Sequence, residues 1–171
     1  MEVGLLILRL AVGLTLWAHG MQKLFGWFGG YGLEGTGKFF EQLGFVPGKR
    51  NAFMAGFCEG SGLLLALGFA TPLAALFCFS VMLVATLSVH LKNGFFIQKQ
   101  GYEYNLVLGL SALSLAFTGP GSYSVDAMLG LNQMGPYQPG LTVGLGAFAV
   151  GVIGALVLMA TRKAPAAPPA K

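Results

Sequence analysis

Two ionisable side chains sit inside runs of apolar residues and are the first candidates for chemistry: Arg9, within residues 5–16, and Glu59, within the run that follows Ala52. An ionisable group in an apolar helix is costly unless it faces the inside of a bundle and finds a partner. Arg9 lies about 11 residues from the end of its run, roughly 16 Å of helix, and Glu59 about 8 residues into its own, roughly 12 Å. The near-equal depths predict an Arg9–Glu59 pair close to a membrane midplane. Glu59 also stands in a strip of small residues, Ala52, Ala55, Gly56, Gly62 and Ala66, and Gly13 and Gly20 share the face of Arg9. Small residues let helices approach closely, so both faces are expected inside the bundle. Two readings stay open: a buried pair that fixes helix register, or a ligand or proton site.

Further polar residues converge at one end. His19 and Lys23 close the first apolar run, His90 and Lys92 close the third, and Glu103 and Asn105 open the fourth. Histidine exchanges protons near neutral pH and both donates and accepts hydrogen bonds. Arg9, His19, Lys23, Glu59, His90, Glu103 and Asn105 therefore form the expected ligand or proton site, with a quinone-like headgroup as a suitable guest. Lys92 reads instead as an interfacial anchor whose ammonium snorkels to water. No residue is assigned a catalytic role. His19 and His90 at equal depth suggest bis-histidine haem, but both lie near the interface with lysines close by, which disfavours it. Cys58 and Cys78 form no C-x-x-C and differ in depth by about 7 Å, so they read as small buried residues. No zinc, phosphate-loop or hydrolase-triad pattern is present, and no metal is expected.

The elements that must hold these groups are membrane helices. Of 171 residues, 55% are hydrophobic and 9% charged, against about 25% charge in soluble domains. Mean hydropathy is +0.71 and glycines number 27, which suits transmembrane helices. The ten basic residues form no dense patch, which excludes nucleic-acid binding as a main role. Five spans of about 20 residues are expected: residues 3–20, 52–70, 72–90, 105–117 and 141–160. The first lacks a basic leader and a cleavage site and is expected to remain as a helix. Between spans one and two, residues 36–45 predict a short interfacial or re-entrant helix. The Pro/Ala-rich tail, residues 164–171, is expected to be disordered.

Basic residues set the orientation. Lys23, Lys38, Lys49 and Arg50 follow span one, Lys92 and Lys99 follow span three, and Arg162, Lys163 and Lys171 follow span five. That places nine of the ten on one face and leaves Arg9 inside. The N-terminus is therefore expected outside and the C-terminus in the cytoplasm. Anionic headgroups of the lipid bilayer are the natural partner of this face.

Several motifs in order resemble the DoxX family of bacterial membrane proteins. They are Leu8-Arg9-Leu10 with His19-Gly20 and Lys23, then Glu59-Gly60-Ser61-Gly62 with Gly68 and Thr71-Pro72. His90 with Gly94-Phe95-Phe96, Glu103-Tyr104-Asn105, and residues 119–126 (GPGSYSVD, with Val125 where leucine is more usual) complete the set. The resemblance implies a four-helix transmembrane bundle over residues 1–130. The loop and fifth span, residues 131–163, are an addition to that pattern. It also implies a redox-linked role, since relatives include a subunit associated with thiosulfate:quinone oxidation and proteins of thiol- and oxidative-stress complexes.

The fold expected is thus an all-α membrane protein in a bacterial inner membrane: a four-helix bundle, a fifth C-terminal span and one short interfacial helix. The leading function is a subunit of a quinone-linked oxidoreductase system that binds a quinone-like or other small amphipathic ligand. Partner redox subunits or a homo-oligomer would accompany it. The alternatives are a small proton-coupled transporter or exporter and a structural assembly subunit without a ligand.

Overall fold

The computed structural model describes residues 1–163; the tail, residues 164–171, lies outside the described residues. Within them the chain is all-helical, and three helices are long and apolar enough to cross a membrane: Glu2–Phe25, Thr71–Asn93 and Leu141–Ala160. The eight α-helices are α1 (Glu2–Phe25), α2 (Gly32–Gln42), α3 (Gly48–Gly60), α4 (Gly62–Leu67), α5 (Thr71–Ala85), α6 (Glu103–Thr118), α7 (Val125–Met128) and α8 (Leu141–Ala160). The helix of α5 runs on through a π turn, Thr86–His90, and a tight last turn, Leu91–Asn93.

Local chemistry sets most boundaries. α1 ends at Gly26, whose left-handed conformation (φ 73°) lets its N–H return to the Gln22 carbonyl, the glycine stop of many helices. Gly68 (φ 64°) ends α4 in the same way. Pro72 occupies the first turn of α5, where a missing N–H costs nothing. α2 begins at Gly32, earlier than residue 36, and Gly37 within it is buried against the backbone of Lys49 at the start of α3.

α1 and the α3–α4 pair lie antiparallel in very close contact. A methyl on Gly20 would come 2.8 Å from the Gly60 Cα, and one on Gly13 would come 2.6 Å from the Ala66 nitrogen. This is the expected interface of small residues, and it fixes the register. Gly13 faces Gly62 and Ala66, while Gly20 faces Gly56 and Gly60. Leu16, Leu65, Ala74, Cys78, Ala112 and Leu115 fill the core between these helices, α5 and α6.

The small-residue face of α8 docks on the chain's own bundle. Gly144 abuts the Phe117 ring, Gly151 abuts Phe79, and Phe79 and Phe148 pack with centroids 5.7 Å apart. At its far end Arg162 donates to the Leu43 carbonyl at 2.9 Å and covers the Phe45 ring, and the Lys163 N–H donates to Gly44. α1, α5 and α8 all run in one direction, and α3–α4 and α6 run back. The segments that carry Lys23, Lys38, Lys49, Arg50, Lys92, Lys99, Arg162 and Lys163 lie together at the end where α1 finishes, the basic end.

Candidate functional site

The register of α1 against α3–α4 separates the two ionisable residues expected to pair. Arg9 stands one turn beyond Gly13, opposite Gly68, and Glu59 stands level with Gly20 and Lys23. Arg9 and Lys23 are 14 positions apart in α1, about 21 Å of helix. The Arg9–Glu59 pair does not form, because the facing ends of the two helices are not level. With Gly13 against Gly62 and Ala66 and Gly20 against Gly56 and Gly60, α3 starts well beyond the end of α1, so depths counted from Gly20 and Ala52 as if from one plane bring the wrong residues together.

Arg9 instead binds the segment between α6 and α7. It is 2% exposed. Its guanidinium donates to the Pro120 carbonyl at 3.1 Å and to the Tyr123 carbonyl, and Asp126 lies within Coulombic reach. Asp126 is buried and accepts from the N–H groups of Ala70 and Thr71 at 2.8 and 2.9 Å. It thereby caps the start of α5. Its own N–H donates to Gly68. Glu2 holds the same segment through the Ser122 N–H and hydroxyl. The residues 119–126 that carried the family resemblance thus close this end of the bundle, and the arrangement is that of a clasp.

The other polar centre lies at the basic end. Glu59, only 3% exposed, accepts from the Lys23 ammonium at 2.5 Å. Beside the pair, the ring of His19 meets the Tyr104 hydroxyl at 3.2 Å, linking α1 to α6. Tyr104 lies within Coulombic reach of Glu59. Asn105, the next residue, is buried, and its amide nitrogen has no hydrogen-bond partner among the described residues. Tyr104 was quoted in sequence only as part of a motif; the aromatic hydroxyl next to Asn105, at the depth of His19, was the signal that could have found it.

His90 and Glu103 serve the loop between α5 and α6. His90 Nδ1 contacts the Gln100 carbonyl at 2.7 Å, and Asn93 donates to the same oxygen at 3.2 Å. Glu103 accepts from the Ile97 N–H at 3.0 Å. Of the seven residues expected to converge, the structure brings His19, Lys23 and Glu59 together. Asn105 follows Tyr104 in α6, His90 and Glu103 are given to a loop, and Arg9 stands at the opposite end. The cysteines lie nearer one another than the counted depths suggested: the Cys78 thiol reaches the Cys58 carbonyl at 3.8 Å and the Ser61 hydroxyl at 3.6 Å. Both thiols are free.

Against Lys23 opens a cavity of about 550 Å³, enclosed by the end of α1, the Gly29–Gly30 turn and one face of α2. Its walls include the aromatic rings of Tyr31, Phe39 and Phe40, and its polar lining includes Gln22, Lys23, Thr36, Lys38 and Gln42. An apolar pocket with a few placed polar groups is the usual form of a small-molecule site. Lys23 is the element shared between this cavity and buried Glu59.

Known proteins agree with the membrane architecture. The inner membrane protein YqjF of Escherichia coli (strain K12) is 30% identical over 128 residues, which cover 75% of this chain and 93% of the relative. A Bacillus subtilis (strain 168) protein bearing the name "Putative oxidoreductase CatD" is 29% identical over 125 residues, 73% of this chain and 86% of that one. No solved structure matches. The model of the DoxX family matches residues 4–91, the stretch from the first turn of α1 through Leu91, and the chain belongs to the DoxX family.

Proposed function

We propose that this membrane protein is a subunit of a redox-linked system of the bacterial inner membrane and holds a quinone-like or other small amphipathic ligand in the cavity beside Lys23. One observation carries the reading: a ligand-sized cavity with aromatic walls meets a lysine that is itself tied to a carboxylate buried in the bundle. A quinone ring needs apolar faces and hydrogen-bond donors at its carbonyls. Tyr31, Phe39 and Phe40 offer the former, and Lys23 and Gln42 the latter. Glu59 orients Lys23, and the His19–Tyr104 contact ties α1 to α6 beside the pair. The names of the relatives, an inner membrane protein and an oxidoreductase, point the same way.

The topology we infer has five crossings, with the N-terminus outside and the C-terminus in the cytoplasm. It is supported by three long apolar helices that run in the same direction, since the chain must cross back once before each of the last two. The ligand reading is tested by thermal unfolding of the detergent-purified protein across a quinone series. Saturating ligand at a hundredfold excess over its Kd adds about 2.7 kcal/mol, a rise of roughly 5 °C or more for a chain of this size. Glu59→Gln should bind more weakly. No rise with any quinone, and a Glu59→Gln variant indistinguishable from the parent, would sink the reading.

A second reading, a structural assembly subunit without a ligand, draws on Arg9. Two of its donors are spent on the chain's own carbonyls, as a packing role requires.

A further inference from the structure

The polar groups that line the cavity beside Lys23 share one property: no carboxylate is among them. Lys23 and Lys38 are cations. Lys23 is already paired with Glu59 behind it, whereas Lys38 has no carboxylate within salt-bridge distance among the described residues, although Lys49 nearby takes Glu34. Thr36 lines the cavity while only 7% exposed, and its hydroxyl makes no hydrogen bond among the described residues, whereas those of Thr15, Thr118 and Thr161 each donate to a backbone carbonyl. The cavity also wraps the start of α2, an 11-residue helix whose N-cap, Tyr31, supplies no side-chain acceptor. First-turn N–H groups without a cap favour a negative charge nearby. Cations, a free hydroxyl and an uncapped helix start all call for acceptor oxygens; Glu34 in the first turn of α2 is taken by Lys49, and among the described residues no carboxylate lines the cavity.

We propose that the cavity selects an amphiphile with an oxyanion head, seated between Lys23, Lys38 and Thr36 at the start of α2, its apolar part lying on Phe39 and Phe40. This rests on the ligand cavity proposed above and names the head it takes. An ammonium makes a charge-assisted hydrogen bond to any acceptor, but an ionised oxygen adds the attraction of an ion pair at Lys38 and makes the bonds from the Thr36 hydroxyl and the α2 N–H groups charge-assisted as well, where a neutral quinone carbonyl does neither. The same chemistry is offered by an ionised hydroxyquinone, by a lipid phosphate and by free phosphate.

The test uses the full chain in phosphatidylcholine nanodiscs. It compares an alkylated hydroxynaphthoquinone, ionised at neutral pH, with its neutral twin lacking the hydroxyl, and runs phosphatidylglycerol and inorganic phosphate as competitors. The ionised quinone should bind at least about tenfold more tightly than its twin, the scale of a hydrogen bond to a charged group. Lys38→Gln and Thr36→Val should each reduce that preference severalfold, and Lys49→Gln should leave it unchanged. Competition by phosphatidylglycerol alone supports a lipid source for the head, and competition by inorganic phosphate supports a free one. Equal affinity for the two quinones without competition overturns the oxyanion head and leaves the quinone reading standing. Binding of phosphatidylglycerol or phosphate but of no quinone supports the oxyanion head and overturns the quinone reading. A preference untouched by both cavity variants, or no binding of any probe, overturns the proposal.

Discussion

Lys23 keeps about a quarter of its side chain accessible, whereas the Glu59 side chain it holds is 4% exposed. The partners are therefore unequal. Removing the lysine strands a buried carboxylate, which costs several kcal/mol when a pair is deeply buried, and less here because one partner still meets solvent. Lys23→Met should destabilise by about 2–3 kcal/mol, and Lys23→Met with Glu59→Gln should recover most of that loss in thermal or denaturant unfolding. Equal losses for the single and double variants would mean the two side chains are not coupled. Arg9 behaves differently, because its acceptors are main-chain carbonyls spread over Pro120 and Tyr123. A lysine carries one compact charge and cannot reproduce that fork. Arg9→Lys should cost about 1–2 kcal/mol in unfolding and make the peptide bonds of residues 119–126 markedly more open to hydrogen exchange, with the basic end unchanged. Sequence identified which residues were unusual but paired two of them wrongly. Arg9 and Glu59 are conspicuous because charge is rare in apolar runs, whereas the acceptors of Arg9 are backbone oxygens that no side-chain pattern announces. Lys23 is legible in sequence as a member of the polar cluster but not as the partner of Glu59, since nothing local shows that α1 continues two residues past it.

Elements were more legible than their ends. The apolar runs located every long helix, because burial against lipid or core demands them over some 20 residues. The limits shifted where polar residues still pay for helix by packing: Gly48 and Asn51 at the start of α3 are buried, as are Thr36 and Gly37 in α2. The kink between α3 and α4 at Ser61 was not visible in sequence; its hydroxyl bonds back to the Cys58 carbonyl, a local competition with the helix ladder that tends to bend it. α8 carries Gly144, Gly146, Gly151 and Gly154, which do not share one face. The structure divides its glycines. Gly144 and Gly151 meet phenylalanine rings, whereas Gly146 and Gly154 have open space around them. Gly151→Leu should overpack against Phe79 and cost about 2 kcal/mol, read as a fall in Tm of about 5 °C. Gly146→Leu and Gly154→Leu should be neutral or slightly stabilising, as glycine is a poor helix former. The reverse order, with loss of an oligomer in Gly146→Leu or Gly154→Leu, would place the partner of α8 on its outer face.

At the scale of the whole molecule, charge and direction make a joint argument. The basic segments gather at one end, and the opposite end carries the Glu2–Ser122 contact, the Arg9 clasp and the turn at Gly68, with no lysine or arginine in residues 68–72 and 119–140. Basic loops stay in the cytoplasm, so the clasped end should face outward. The doubtful crossings are the returns. α6 has 16 residues, about 24 Å, short of a hydrocarbon core of about 30 Å, and α3–α4 is interrupted at Ser61. Both must cross nonetheless if α1, α5 and α8 all span in the same direction. A chain with Cys58 and Cys78 replaced by alanine, carrying one new cysteine at a time, decides each crossing separately through a membrane-impermeant maleimide. Phe69→Cys and Gln138→Cys should label in intact cells, and Lys49→Cys and Lys99→Cys only in inverted membranes. Labelling of Lys99→Cys and Gln138→Cys from the same side would mean that α6 does not cross, and labelling of Lys49→Cys and Phe69→Cys from the same side would mean that α3–α4 does not. A complete exchange of the two pairs would keep five crossings and turn the molecule over, placing the Lys23 cavity on the outer face and removing the cytoplasm as the source of its ligand.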